Sequence, residues 1–290
     1  KTVYPYTTGS LGTATSTVNY TYGADSDAGW KNLLTKYGNE TIDYDAIGNP
    51  VKYRGATLTW DGRELKKFVK SGTTVNYTYD ADGLRSSKTV NGAKTTYQYL
   101  DGQLLYEDRA GTDIYYYYDS YGTPTAITYV KADGTSYTFY VGTNSLGDVN
   151  ALYNSAGGLA VKYDYDAWGR IVAETNATGG AITGLAAEWN EINPFRYRGY
   201  YYDKEIGLYY LQSRYYDAEV GRFISSDEQI AGVGGDILGY NTYAYCQNNP
   251  VNFNAEAMVL IRISIIGSTR GRKEVKVLGR SFVSTRKEDL

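Results

Sequence analysis

Along most of this chain apolar and polar positions alternate one for one, in short runs broken by Gly, Asn and Asp. Asn76-Tyr-Thr-Tyr79, Thr95-Thr-Tyr-Gln-Tyr99 and Lys162-Tyr-Asp-Tyr165 place Tyr at every second position, the period of a strand with one buried face. Val18-Asn-Tyr-Thr-Tyr22 reads the same way, and Trp30 to Lys36 reads as a strand or a short turn of helix. Ile114-Tyr-Tyr-Tyr-Tyr118 does not alternate. A strand with Tyr on both faces is expected to be covered on both, or to border a wet lumen. Tyr suits a half-wet sheet, because its ring buries apolar area while its hydroxyl keeps a partner.

The breaks repeat. From Tyr44 to Arg170 the unit is an aromatic, an Asp, one to three residues and a Gly, as in Tyr44-Asp45 with Gly48, Trp60-Asp61-Gly62, Tyr79-Asp80 with Gly83, Tyr118-Asp119 with Gly122 and Tyr165-Asp166 with Gly169. Tyr99-Leu-Asp-Gly102 and Tyr153-Asn-Ser-Ala-Gly157 are weaker copies. The Asp residues at 45, 61, 80, 101 and 119 stand 16, 19, 21 and 18 apart, a hairpin-sized period. The Asp carboxylate can accept backbone N–H groups two or more residues on, and Gly supplies positive φ without steric cost. Lys70-Ser-Gly72, Asn91-Gly92, Arg109-Ala-Gly111 and Asp133-Gly134 are further turn signals, the Asn-Gly and Asp-Gly dipeptides being the strongest for two-residue hairpins. Each repeat is therefore expected to hold two short strands, one Tyr-Asp turn and one Gly turn.

The pattern shifts twice. Thr175 to Asn193 is rich in Ala, Thr and Gly, with a loop expected at Asn176-Ala-Thr-Gly-Gly180 and a helical turn at Leu185 to Asn190. The N-glycosylation pattern at Asn19, Asn39, Asn76 and Asn176 is read as compositional accident. Then comes a dense block, Phe195 to Phe223, in which Tyr202-Asp203 and Tyr216-Asp217 are followed by Gly207 and Gly221, a second repeated turn. No Tyr follows Tyr245, and short strands are expected at Met258 to Ile266, Glu274 to Leu278 and Ser281 to Val283.

That block carries a resemblance. Arg196-Tyr-Arg-Gly199, Tyr201-Tyr-Asp203, Gly207-Leu-Tyr-Tyr-Leu211, Ser213-Arg-Tyr-Tyr-Asp217, Gly221-Arg222-Phe-Ile224, Gly239-Tyr-Asn241, Ala244-Tyr-Cys246 and Asn248-Asn249-Pro250-Val-Asn252 resemble, in this order, the core domain of Rhs and YD-repeat proteins. These are large bacterial polymorphic-toxin and cell-surface proteins. The resemblance implies a sheet wrapped into a shell around a cargo polypeptide. It also implies an Asp-Pro-x-Gly autoproteolysis segment after the Asn-Pro-Val-Asn element, with aspartyl-protease-like chemistry. Here the chain continues Asn254-Ala255-Glu256, and neither Asn nor Ala can serve as the acid or base of such a cut. Asp227 stands where such proteins often carry an Asp, but one carboxylate is half a dyad. No self-cleavage is expected.

Composition supports short strands and tight turns: 34 Tyr and 33 Gly against 5 Pro, 1 Met and no His among 290 residues. With one Cys, Cys246, there is no intramolecular disulfide, and without His the common zinc and triad chemistries are closed. The net charge of -3 divides unevenly. Met258 to Leu290 holds eight Lys or Arg and three Asp or Glu, hence +5, which leaves -8 for the rest and argues against a nucleic-acid partner. The apolar run Met258 to Ile266 is interrupted by Arg262 and is shorter than the roughly 20 residues of a membrane span. The paired acids Asp25 and Asp27, Asp43 and Asp45, Asp80 and Asp82, and Asp164 and Asp166 are read as turn formers. The glycosidase reading needs two opposed acids, and the calcium reading needs a closing Glu that does not follow Asp80. Arg63, Arg85, Arg170, Arg196, Arg198, Arg214 and Arg222 are expected to stack on Tyr rings or pair with turn Asp, at about 0.5 to 1 kcal/mol each if exposed.

The expected architecture is all-β, with antiparallel hairpin repeats in a curved or spiralling sheet. Repeats are expected over 1–174, a core block over 175–253 and a divergent basic tail over 254–290. The chain reads as an internal fragment of a secreted or cell-surface protein, its export signal upstream, with a strand edge near residue 1 left open by missing repeats. The expected role is non-enzymatic and encapsulating, with no cofactor and no metal, the partner being a cargo polypeptide or the upstream repeats. The rival reading is a binding module whose aromatic rows meet surface glycans.

Overall fold

The computed structural model describes residues 1–3, 6–7, 10–11, 13–23, 31–227 and 241–252. The tail from 254 and its expected strands lie outside the described residues. Sixteen strands, from Tyr20–Tyr22 to Ile171–Thr175, form one sheet in which each pairs antiparallel with its chain neighbours. Val75 and Tyr77 on strand Thr73–Tyr79 are buried while Asn76 and Thr78 between them are exposed. Tyr, Thr and Val along these strands fit a pleated, half-buried surface. The expected all-β fold of antiparallel hairpins is the observed one.

Two kinds of turn connect the strands. In the five-residue kind, Asp45 Oδ1 accepts from Ile47 N at 3.0 Å and Asn49 N at 2.8 Å, while Asp45 N donates to Asn49 O at 2.9 Å. Asp80, Asp119 and Asp166 repeat this on Asp82 and Leu84, Tyr121 and Thr123, and Trp168 and Arg170. Gly83, at φ 78°, occupies the position a side chain resists. The other kind is a two-residue turn with positive φ at both residues, as at Ser71-Gly72 and Asn91-Gly92.

Several details depart from the sequence reading. Asn144, Asn154 and Asn176 close the same five-residue turn as the Asp copies, so the loop expected at 176–180 is a further copy of the repeat turn. In contrast, Asp61 ends a strand before the two-residue turn Gly62-Arg63, and Asp101 with Gly102 forms a two-residue turn itself. Asp133-Gly134 belongs to a five-residue turn closed by Lys131 N on Thr135 O. Strand Thr112–Tyr118 does alternate in burial: Ile114 and Tyr116 face in, Tyr115 and Tyr117 face solvent. The leading piece forms strand Leu34–Tyr37, and the helix runs Gly184–Ile192, longer than the expected turn.

The aromatic before each Asp does more than end a strand. It sits at a register shift, as between Thr78 and Tyr79 or Tyr117 and Tyr118. Its polar atom donates to a carbonyl at the start of the preceding strand. Tyr44 reaches Leu34 O at 3.1 Å, Trp60 Pro50 O at 2.7 Å, Tyr79 Leu65 O at 3.0 Å, Tyr118 Leu104 O at 2.6 Å and Tyr165 Val149 O at 2.7 Å. A buried hydroxyl needs such a partner, and the bulge aims it.

A second sheet of four short strands, Tyr201–Asp203, Leu208–Tyr210, Tyr215–Asp217 and Arg222–Phe223, forms the core block. Its Tyr201, Leu208, Tyr210, Tyr215 and Ile224, with Trp189 of the helix, share one apolar cluster with the inward face of the repeat sheet. A further cluster gathers Tyr197, Tyr209, Tyr216, Phe223, Tyr245 and Cys246. No helix among the described residues is long and apolar enough to cross a membrane.

Candidate functional site

The chemistry of this chain concentrates where the core block meets the repeat sheet. Asp203 follows strand residue Tyr202 and turns toward the sheet, where Arg85 begins the strand after an Asp80 turn. Arg85 and Asp203 are both fully buried, at 0% side-chain exposure. Arg85 Nη1 donates to Asp203 Oδ2, and Lys88 Nζ donates to Oδ1 at 2.8 Å. Lys88 also meets Glu205 at 2.7 Å. Around the guanidinium stand four rings, with centroids 4.3 Å (Tyr210), 4.7 Å (Tyr201), 4.8 Å (Tyr97) and 5.5 Å (Tyr77) from its carbon. The N–H groups of Arg85 that lack an oxygen partner therefore lie among π faces. Burial pushes the Asp203 carboxyl up, but Arg85 and then Lys88 outweigh it and hold the group below the usual carboxylate range.

Asp217 makes a second tie. Its Oδ1 accepts from Glu219 N and Val220 N at 2.8 and 3.1 Å, closing its own turn. Its Oδ2 takes Tyr53 OH at 2.8 Å and Arg54 Nη1 at 2.9 Å across from the sheet. The expected repeated turn is thus only half repeated: Gly207 N closes on Asp203 O at 2.8 Å, but the Asp203 side chain is spent on Arg85 and Lys88. Tyr216 OH reaches Trp168 O at 2.7 Å, and Gly221 packs against the Trp168 ring. The Tyr202 ring packs at a tilt on Tyr209, with centroids 4.9 Å apart.

Arginines staple the remainder, several of them stacked on Tyr rings or paired with a turn Asp as expected from the sequence. Arg196 lies 4.3 Å from the Tyr163 centroid and donates to Asn193 O at 2.8 Å and Asn190 O at 3.0 Å. Arg198 donates to Pro250 O at 2.6 Å and Leu146 O at 3.0 Å. Arg222 donates to Asn32 O at 2.9 Å. Arg109, beside fully buried Glu107, donates to Glu191 O and Ile192 O and caps the helix end. Asn249 Oδ1 accepts from Asn252 Nδ2 at 3.1 Å.

Asp227 forms an ion pair with Arg214 at 2.9 Å, both largely buried. Asn254, Ala255 and Glu256 lie outside the described residues. Among the described residues no group of three or more His, Cys, Asp and Glu is placed to hold a metal. Sequence reasoning missed Lys88, Glu205, Glu107 and Arg54 as partners. Lys88, Glu205 and Arg54 find counter-charges across the junction, which nothing in their local pattern marks, whereas Glu107 pairs with Arg109 two residues on in its own strand.

The teneurin YD-shell family model matches residues 32–251. The chain belongs to the teneurin YD-shell family. Among YD-shell relatives, the tRNA nuclease WapA of Bacillus subtilis is 37% identical over 227 residues, covering 76% of this chain and 9% of WapA. Teneurin-3 of Mus musculus is 30% identical over 193 residues, covering 63% of this chain and 6% of the teneurin. Toxin protein Tse5 of Pseudomonas aeruginosa is 29% identical over 154 residues, 53% of this chain and 10% of Tse5. The chain spans about a tenth of the length of the curated relatives it matches. The crystal structure of TcdB2-TccC3 superposes on this YD-shell chain with a TM-score of 0.59 at 20% identity, covering 82% of this chain and 13% of that one, which establishes the shared fold. The resemblance to Rhs and YD-repeat proteins is thereby shown.

Proposed function

We propose that this chain is a non-enzymatic segment of a YD-shell that encloses a polypeptide cargo, within a secreted or surface-exposed toxin-type protein. Its partners are then that cargo and further repeats of the same shell. The observation that carries this reading is the buried ion junction, Arg85 and Lys88 on Asp203. It fastens the core block to the inward face of the repeats, as the closure of a container requires. The division into repeats over 1–174, core block over 175–253 and tail over 254–290 belongs to the same reading. It is supported by the end of the repeat sheet at Thr175. The names nuclease and toxin attach to far longer relatives, and the -8 charge ahead of Met258 favours placing any nucleic-acid chemistry elsewhere in such proteins.

Self-cleavage is absent on this reading, since Asp227 is engaged by Arg214 and the segment Asn254-Ala255-Glu256 lacks an Asp-Pro. Intact mass before and after incubation at neutral pH tests it, beside a variant carrying Ala255→Asp and Glu256→Pro. A cut in the unmodified chain near Phe253 to Met258 overturns the processing-dead reading. Enclosure is tested by joining a protease-sensitive reporter polypeptide downstream, in a shell extended by upstream repeats. Protection of the reporter, lost in Asp203→Ala, is expected; digestion at the rate of the free reporter refutes enclosure.

A second reading has one observation behind it: Tyr115, Tyr117 and Tyr140 are 39%, 49% and 46% exposed on the outward face. Such rings can take glycans. Binding to isolated cell wall that Tyr117→Ala and Tyr140→Ala abolish, with unchanged circular dichroism, would favour it.

A further inference from the structure

One pair of Tyr rings on the outward face of the repeat sheet is set apart from the rest. Strands Gln103–Arg109 and Thr112–Tyr118 are joined by the two-residue turn Ala110-Gly111, both residues at positive φ. In their register Tyr106 stands directly opposite Tyr115. The ring centroids are 5.3 Å apart at an interplanar angle of 48°, which brings the ring edges into contact. Tyr115 is 39% exposed and Tyr106 is half-buried. Among the described residues, every other pair of Tyr rings with centroids 5.3 Å apart or closer has a buried member: Tyr37, Tyr129, Tyr209, Tyr215 or Tyr245.

The pair also has a base of its own. Tyr106 OH donates to Asp113 Oδ1 at 2.6 Å, and Asp113 lies two residues before Tyr115, hence on the same outward face. That bond, followed by burial and by the charges of Asp113 and Asp108, pushes the Tyr106 phenol up to about 12. A neutral phenol gives up an electron readily only if its proton leaves as well, and Asp113 Oδ1 is within reach to accept it. Asp108 faces Asp113 across the hairpin, and its negative charge also favours removal of an electron.

We propose that Tyr106 and Tyr115 are a site of oxidative crosslinking, joined as dityrosine by a peroxide-derived one-electron oxidant. Each ring gives up one electron and its phenolic proton, Tyr106 to Asp113 and Tyr115 to water. The two phenoxyl radicals form one carbon–carbon bond between ring positions ortho to the hydroxyls, which the contact of the rings has already brought together. Each of those carbons then loses its hydrogen as a proton, and each phenol oxygen regains one. The product is two hydrogens lighter, and one hydrogen peroxide is reduced to two waters. The bond closes the hairpin covalently on the outward face, so it stands independently of what the shell encloses.

The test treats the full chain, dilute, with hydrogen peroxide and a haem peroxidase and follows dityrosine fluorescence in the monomer fraction. Tryptic cleavage after Arg109 puts the two residues on separate peptides, 95–109 and 110–131. Tandem mass spectrometry therefore reads the link as these two peptides joined and two hydrogens lighter. The expected result is a link between Tyr106 and Tyr115 in the unmodified chain and none within Tyr106→Phe or Tyr115→Phe chains of unchanged circular dichroism. In Asp113→Asn the link should form about tenfold more slowly, a smaller factor than a buried base would give because water also reaches Tyr106. Links only between chains, a link within the chain that joins other Tyr residues in place of this pair, or an unchanged rate in Asp113→Asn overturns the proposal.

Discussion

Asp203→Ala puts the junction to its severest test. The substitution leaves Arg85 fully buried without its carboxylate. Removing one partner of a buried ion pair costs about 3–5 kcal/mol, chiefly because the other charge stays buried and unmatched. Two features pull toward the lower figure. Arg85 keeps its four Tyr rings, and Lys88 keeps Glu205 at 2.7 Å. We expect a loss of about 3 kcal/mol, which with a urea slope of about 3 kcal/mol per molar lowers the unfolding midpoint by about 1 M. Asp164→Ala is the control, because its pair with Lys162 is half exposed at 46% and 52% and contributes less than about 1 kcal/mol. The double variant Arg85→Met with Asp203→Leu should recover most of the loss, since an apolar replacement strands no charge. The pH dependence has a definite sign. The folded Asp203 carboxyl is held below its unfolded value. Its contribution is therefore complete above the unfolded pKa of about 4 and fades as pH falls through the depressed folded value. The reasoning is refuted if urea titration at pH 7 finds Asp203→Ala no less stable than Asp164→Ala.

Gly169→Ala should destabilise far more than Gly157→Ala. Both have positive φ, at 84° and 78°, but a Cβ at 169 collides with the Tyr197 ring while none lies within 4 Å at 157. Thermal midpoints should separate the two by the overpacking cost of about 1–3 kcal/mol. Tyr118→Phe deletes the 2.6 Å bond to Leu104 O and should cost about 1 kcal/mol in urea unfolding, whereas Tyr121→Phe, 87% exposed, should cost nothing measurable. At alkaline pH, burial pushes Tyr44 and Tyr210 up to about 12. The folded state keeps protons that the unfolded state loses from about pH 10, so stability falls as pH rises above 10. Phenolate absorbance should then rise together with loss of the circular dichroism signal; smooth titration of the phenols with the fold intact would contradict this.

Much of the local architecture was legible in advance, because its causes are local. Period-two Tyr, Thr and Val define strands, and an Asp or Asn with a Gly three residues on defines a turn whose bonds span five residues. The alternation of Tyr115 and Tyr117 outward with Ile114 and Tyr116 inward was hidden, because a run of identical side chains carries no record of which face meets the core. Asp61 and Asp101 misled for a similar reason: the same Asp-Gly letters close a two-residue or a five-residue turn according to the register of the flanking strands. The fate of Asp203 was the least visible. It shares its motif with Asp45, yet its carboxylate crosses to Arg85 and Lys88, 118 and 115 residues away. The sequence by itself determined the strands, the turn chemistry and the family, since these rest on residues within a hairpin of one another. Only the tertiary structure decided which charges are buried together and which Tyr rings enclose Arg85, because burial and pairing across the junction depend on groups that meet only once the sheet and the core block have closed on each other.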